Sequence, residues 1–154
     1  MKVFTIPPDF ELPDTQGKMV RLSEFQGKKN VVLIFLRSFL CPFCRAQLGR
    51  FRDDYAEFTA RDAEILAIGP NSLDAFRRYW RDEALPFLGL PDPEHSVADI
   101  YGQEVNLLKL GRMPAMMLID KKGQVRYQHY GTSMADVADS NLILNLLDRI
   151  NRGE

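Results

Sequence analysis

Residues Val31-Val32-Leu33-Ile34-Phe35-Leu36 form an unbroken apolar run that ends four residues before Cys41-Pro42-Phe43-Cys44. A run of this length, rich in β-branched and aromatic side chains, has the pattern of a central strand buried on both faces. Pro42 then sits where proline is welcome, at the first position of a helix. Cys44, Leu48, Phe51, Tyr55 and Phe58 follow at steps of three and four, the apolar stripe of an amphipathic helix. A buried strand feeding such a helix needs layers on both sides, which commits the chain to an α/β architecture.

The remaining segments alternate in the same way. Asp14-Thr15-Gln16-Gly17 reads as a turn between the short apolar pieces Phe10-Glu11-Leu12 and Met19-Val20-Arg21-Leu22. Ile65-Leu66-Ala67-Ile68 is a second buried strand, closed by Gly69-Pro70. A helix from Ser72 carries Leu73, Phe76 and Trp80 on one face. Pro86 to Pro93 is proline-rich and reads as loop, and Ser96-x-x-Asp99 opens a short helix that stops at Gly102. Ala115–Ile119 and Val125–Tyr130 pattern as a hairpin turned by Asp120-Lys121-Lys122-Gly123. Ile143, Leu146, Leu147 and Ile150 mark the apolar face of a last helix. Strands separated by helices pair in parallel, and the hairpin adds an antiparallel edge. The expectation is a single domain over residues 1–154, a central mixed β-sheet flanked by helices. Reactive groups in such sheets gather at the carboxyl ends of the strands, where Cys41 lies.

Charge names no partner. The 154 residues carry 20 basic and 21 acidic side chains, a net charge of -1, which exerts no pull toward nucleic acid or a membrane surface. Met1 to Pro8 contains no apolar stretch of the secretory-signal kind, and Val31–Leu36 is far too short to span a bilayer. Two cysteines cannot build the disulfide framework of a small secreted domain. A cytoplasmic location, with the pair cycled by a reductant, is expected.

A Cys-x-x-Cys at a strand-to-helix junction is the arrangement for reversible thiol–disulfide chemistry. The spacing lets the sulfurs close a disulfide within one helical turn, and the helix N-terminus stabilises the thiolate of the first. The helical stripe turns Cys44 toward the core and leaves Cys41, at the N-cap, on the exposed lip. Metal binding is the competing use of two cysteines. Structural zinc wants four ligands, and the only additions available, His95 and His129, match no zinc-finger spacing. No metal or organic cofactor is expected.

Further candidates surround the motif. Arg37 and Arg45 bracket it and either lower the thiol pKa or are solvated surface cations; Arg37 also stands where it can polarise a peroxide. Ser38 either hydrogen-bonds the reacting atoms or caps the strand-end turn. Met113 is a candidate for an adaptable docking surface, whereas Met116 and Met117 lie within a strand and read as core. Trp80 reads as core, His129 as structural and His95 as an exposed loop residue. The mixed charges from Arg45 to Arg61 read as a solvated helix face.

Two longer patterns carry a family resemblance. Pro8-Asp9-Phe10-Glu11-Leu12-Pro13-Asp14 is followed by Gly17-Lys18-x-Val20-x-Leu22-Ser23-x-Phe25-x-Gly27-Lys28, and Pro114 to Gly123 runs Pro-Ala-Met-Met-Leu-Ile-Asp-Lys-Lys-Gly. Together with Cys41-Pro42-Phe43-Cys44-Arg45, these segments resemble redoxin domains of the alkyl hydroperoxide reductase / thiol-specific antioxidant family, over roughly residues 3 to 150. The resemblance implies a thioredoxin fold with an N-terminal redoxin extension. It also implies that Pro114 is a cis-proline facing the cysteines, and that Met113 before it offers its backbone to a bound disulfide segment.

The departures from that family are specific. Typical peroxiredoxins place a proline and then a hydroxyl residue before the peroxidatic cysteine; here Ile34 and Ser38 stand at those positions. Pro114 stands where they carry an arginine. Thioredoxins often bury an acid where this chain has Phe35, and carry a tryptophan where it has Leu40. The nearest pattern is a peroxiredoxin-like branch with a Cys-Pro-aromatic-Cys site.

Three readings follow. In the first, Cys41 attacks a disulfide of a protein substrate, Cys44 resolves the mixed disulfide, and a dithiol reductant such as a thioredoxin or glutathione system resets the pair. In the second, Cys41 attacks a hydroperoxide and Cys44 condenses with the resulting sulfenic acid. The missing proline and arginine weigh against speed in that second reaction. In the third, the pair belongs to a redox-regulated binding module that catalyses nothing.

Overall fold

A computed structural model describes residues 3–103, 105–106, 111–131, 133 and 137–154. The chain begins with a small antiparallel pair, β1 (Glu11–Pro13) and β2 (Met19–Arg21), followed by a 3-10 turn over Leu22–Phe25. Next come β3 (Asn30–Phe35), α1 (Pro42–Asp53), α2 (Tyr55–Thr59), β4 (Ala63–Gly69), α3 (Leu73–Asp82), β5 (Leu88–Pro91) and α4 (Ser96–Tyr101). A short antiparallel pair, β6 (Val105–Asn106) with β7 (Gly111–Arg112), precedes β8 (Ala115–Ile119), β9 (Val125–Tyr130) and α5 (Ser140–Asn151).

Five strands make the central sheet in the order β5-β4-β3-β8-β9. β3, β4 and β5 run parallel; β8 is antiparallel to β3, and β9 to β8. This is the mixed sheet the sequence predicts, with the expected hairpin on one side. Every residue of β3 is buried, and its alternation splits the core in two. Val32 and Ile34 face a cluster with Leu48, Phe51, Phe58, Phe76, Ile143 and Leu147, contributed by α1, α2, α3 and α5. Val31, Leu33 and Phe35 face Phe10, Leu12, Val20, Leu22, Val97 and Tyr101. The N-terminal extension and α4 thus cover the second face of the sheet.

Three expectations are corrected. The Pro86–Pro93 segment is not all loop: Leu88–Pro91 pairs in parallel with β4, from Leu66↔Leu88 to Gly69↔Pro91. Pro91 is tolerated because β5 is an edge strand and needs no donor on its outer side. The helix from Pro42 does not continue to Phe58 but breaks at Asp54 into α1 and α2. The short α4 is not capped by Ser96. Its capping carboxylate is the buried Asp92, which accepts from the N–H groups of Ser96, Val97 and Ala98 at 3.0, 3.1 and 3.0 Å.

Among the described residues no helix is long and apolar enough to cross a membrane. One close approach locks β5 against α3. The Trp80 indole donates to the Phe87 carbonyl at 2.8 Å, and a Cβ at residue 89 would sit 2.6 Å from the ring. Gly89→Ala is therefore expected to overpack this contact and lower the unfolding free energy by about 1–3 kcal/mol, read by urea denaturation. No measurable loss would mean that the Trp80 ring shifts freely.

Candidate active site

The reactive loop is built where β3 leaves the sheet. Leu36 still pairs with β4, its N–H donating to the Ile68 carbonyl at 2.8 Å, and the chain then turns through residues 37–40 into α1. Ser38 organises the turn: its hydroxyl accepts from the Leu40 N–H at 3.1 Å and its carbonyl from the Cys41 N–H at 3.3 Å. The Phe39 N–H donates to the Asn71 side chain at 3.3 Å. The Phe39 ring stacks on Tyr79 at 4.4 Å with an interplanar angle of 4°, and meets Phe76 edge-on at 4.8 Å. These aromatic contacts pin the loop to α3.

Cys41 is the N-cap of α1, in extended backbone conformation, with Pro42 opening the helix behind it. Its sulfur accepts from the Cys44 N–H at 3.4 Å, a sulfur version of the N-cap hydrogen bond. Both thiols are free, and both are buried, Cys41 to 2% and Cys44 to 1% exposure. The exposed lip expected for Cys41 is therefore a correction. Leu40, at 90% exposure, and Phe43, at 42%, occupy that lip instead.

Proton affinity separates the two sulfurs where exposure does not. Burial alone would push the Cys41 thiol up. Hydrogen bonds from the Cys44 N–H, the Cys44 thiol, the Arg37 guanidinium and the Phe43 N–H outweigh it, and Cys41 is held below the ordinary thiol value. Burial pushes the Cys44 thiol up to about 12, helped by the Cys41 sulfur and opposed by the N–H groups of Arg37 and Ser38. One sulfur is disposed to be a thiolate and its neighbour to keep a proton.

Comparison with known proteins agrees with this arrangement. A family model described as AhpC/TSA family matches residues 5–128. Peroxiredoxin Bcp of Bacillus subtilis (strain 168) is 34% identical over 123 residues, covering 77% of this chain and 78% of that protein. The chain belongs to the AhpC/TSA family. The chloroplastic Peroxiredoxin Q of Triticum aestivum is 34% identical over 125 residues, which are 80% of this chain and 56% of that longer protein. Among solved structures, Peroxidoxin BcpB from Mycobacterium tuberculosis matches with a TM-score of 0.84 and 27% identity, over 97% of this chain and 98% of that one. The reduced 2-Cys peroxiredoxin of Plasmodium vivax has the same TM-score at 20% identity, covering 99% and 98%, and shares the fold. The expected thioredoxin fold and the redoxin resemblance are both borne out, and membership makes the chain a thiol-dependent oxidoreductase.

Arg37 does reach Cys41. Arg45 is engaged elsewhere, its guanidinium 5.6 Å from the Tyr79 ring centre and hydrogen-bonded to that side chain. Met113 is buried, and its carbonyl accepts from the Gln103 side chain at 2.9 Å. No peptide bond among the described residues is cis, so Pro114 is not the cis-proline the resemblance implies. It leads straight into the sheet, its carbonyl accepting from the Gly131 N–H at 2.7 Å. That pairing extends the β8–β9 ladder by one residue beyond Ala115↔Tyr130. Among the described residues no three His, Cys, Asp or Glu side chains gather in a metal-ligand cluster.

Sequence reasoning missed Gln103, Asn71, Phe39 and Tyr79. Phe39 meets Asn71 and Tyr79, and Gln103 meets Leu36 and Met113, through contacts distant in sequence that no spacing pattern marks. Arg37→Gln removes a cation from the Cys41 thiolate, so more of the thiol stays protonated at a given pH. The pH midpoint of Cys41 alkylation by iodoacetamide is expected to rise, and the rate near neutrality to fall several-fold. An unchanged profile would show that the guanidinium does not bear on the sulfur.

Proposed function

We propose that this chain is a hydroperoxide reductase in which Cys41 is the peroxidatic cysteine and Cys44 the resolving one. The observation that carries this reading is a buried sulfur pair in which Cys41 is held below the ordinary thiol value and Cys44 is pushed up to about 12. A sulfur on a residue only 2% exposed favours a small oxidant such as a hydroperoxide over the bulkier segment that carries a protein disulfide. The relatives are named as peroxiredoxins, which supports the same choice and places disulfide exchange second.

In the first step the Cys41 thiolate attacks the terminal peroxide oxygen. An S–O bond forms, the O–O bond breaks, Cys41 becomes a sulfenic acid, and the departing alkoxide or hydroxide takes a proton and leaves as alcohol or water. The Arg37 guanidinium, beside the sulfur, lies within the region where charge develops on the departing oxygen. It takes the place of the arginine that typical peroxiredoxins carry at the position of Pro114. Ser38 and Arg45 act through the scaffold, one by turning the loop and the other by packing on Tyr79. In the second step Cys44 attacks the Cys41 sulfur; its own proton and the sulfenic hydroxyl leave as water, and the disulfide closes. A dithiol reductant of the thioredoxin or glutathione-system type returns both sulfurs to thiols by two exchanges. Met113 and Pro114 stand just ahead of β8, and the Met113 carbonyl shares the Gln103 amide with the Leu36 carbonyl at the exit of β3. Residues 1–154 act as one domain, and a reducing cytoplasm is the setting this cycle requires.

The test is the reaction of fully reduced protein with one equivalent of hydrogen peroxide, followed by mass spectrometry. Wild type is expected to lose the mass of two hydrogen atoms, as the disulfide closes, far faster than a free thiolate reacts. Cys41→Ser should be inert, and Cys44→Ser should stop at a sulfenic acid trapped by dimedone. A wild-type rate no better than a free thiolate would return the function to disulfide exchange. An inert Cys44→Ser beside an active Cys41→Ser would reverse the roles.

A further inference from the structure

The reactive end of the central sheet is not closed by its own backbone. Beyond Phe35↔Ile68, Leu36 keeps the parallel register, since its N–H donates to the Ile68 carbonyl. In that register the Leu36 carbonyl takes its donor from residue 70, two positions past Ile68. Residue 70 is Pro70, which has no N–H.

The other side of β3 has a matching gap. The antiparallel pairs run from Val31↔Ile119 to Phe35↔Ala115, so the next hydrogen-bonded pair in sequence is Arg37 with Met113. There the Arg37 N–H would go to the Met113 carbonyl; in this structure it faces the Cys44 sulfur instead. Two carbonyls at the centre of the protein thus lose their ladder donors, and a buried carbonyl left unpaired is costly.

One side chain serves both. Gln103 Nε2 donates to the Leu36 carbonyl at 3.2 Å and to the Met113 carbonyl at 2.9 Å, using both of its hydrogens. Gln103 is 6% exposed. Its backbone is set by the end of α4, where Gly102 takes a left-handed conformation (φ 74°) and the Gln103 N–H donates to the Ala98 carbonyl at 2.9 Å.

We propose that Gln103 is a positioning residue for the dithiol. By occupying the Leu36 and Met113 carbonyls it releases the Arg37 N–H from the β3–β8 ladder, so that this N–H faces Cys44 while the Arg37 side chain reaches Cys41. The inference rests on the reading of Cys41 and Cys44 as a working dithiol, and not on the identity of the oxidant.

Gln103→Met keeps the length of the side chain and removes both donors. Its test uses alkylation and oxidised glutathione, so it does not depend on peroxide turnover. The pH midpoint of Cys41 alkylation is expected to rise, and closure of the Cys41–Cys44 disulfide to slow about ten- to a hundred-fold, as misplacing reacting groups by roughly 1 Å does. An unchanged midpoint and closure rate would overturn the proposal, whatever happens to the melting temperature. Amide hydrogen exchange gives a second measurement that leaves Gln103 in place. In Cys44→Ala the Arg37 N–H loses its acceptor while the Met113 carbonyl stays occupied, so its exchange should accelerate. Undiminished protection there would mean that Arg37 bonds to Met113 after all, and would overturn the proposal. Failure of wild-type protein to reduce peroxide, with both results as expected, would instead count against the proposed function alone.

Discussion

β3 is buried on both faces, and its terminal backbone groups must therefore find partners inside the protein. Up to Phe35 the neighbouring strands supply them. Past Phe35 the requirement persists while the strand does not, because the chain has to turn outward to begin α1. The Leu36 carbonyl, the Arg37 and Ser38 N–H groups and the Cys41 N–H are all at this exit. They are satisfied by Gln103, by the Cys44 sulfur and by the Ser38 carbonyl. The dithiol is thus part of the solution to a backbone problem as well as a reactive group. Sulfur is a weak acceptor, which makes it a suitable partner for N–H groups that must stay available to a developing charge.

The same junction decides which sulfur is reactive. Both cysteines are removed from water, which by itself disfavours either thiolate. What differs is the number of donors aimed at each. Cys41 sits in front of the first turn of α1 and collects N–H groups from Cys44 and Phe43 in addition to the Arg37 guanidinium. Cys44 lies one turn inside the helix, where the helical N–H groups are no longer free, and receives only those of the exiting strand. Helix position therefore separates the proton affinities of the two sulfurs, and Pro42 matters because it starts the helix one residue after the first.

Much of this was legible in the sequence, for identifiable reasons. β3, β4, the β8–β9 hairpin and α3 were readable because their signals are periodic or continuous and each buried face is spelled out locally. Cys41 and Cys44 were readable because the motif and the strand-to-helix junction coincide. β5 was hidden because Leu88-Gly89-Leu90 is short and flanked by prolines; it becomes a strand only through its pairing with β4 and the close fit of Gly89 under Trp80. The break at Asp54 was hidden because the apolar spacing of Tyr55 and Phe58 continues across it. The burial of Cys41 was hidden because an N-cap position says nothing about what covers it. Gln103 could not be found from spacing at all, since its partners Leu36 and Met113 are 67 and 10 residues away.

In the proposed peroxide cycle, the sulfur pair also bears on the order in which the two thiols act. Cys44 holds its proton for three reasons: burial, its hydrogen bond to the Cys41 sulfur, and the charge on that sulfur. The last two exist only while Cys41 is a thiolate. Conversely, the Cys44 thiol is one of the donors that keep Cys41 charged. Before oxidation the two sulfurs therefore differ in proton affinity, Cys41 being held below the ordinary thiol value and Cys44 above it. Once Cys41 has been oxidised to a neutral sulfenic acid, both Cys41 contributions to the high Cys44 proton affinity disappear, while the Arg37 and Ser38 N–H groups remain to favour its thiolate. In the proposed cycle, loss of charge on the first sulfur thus lowers the proton affinity of the second, while burial continues to oppose its thiolate.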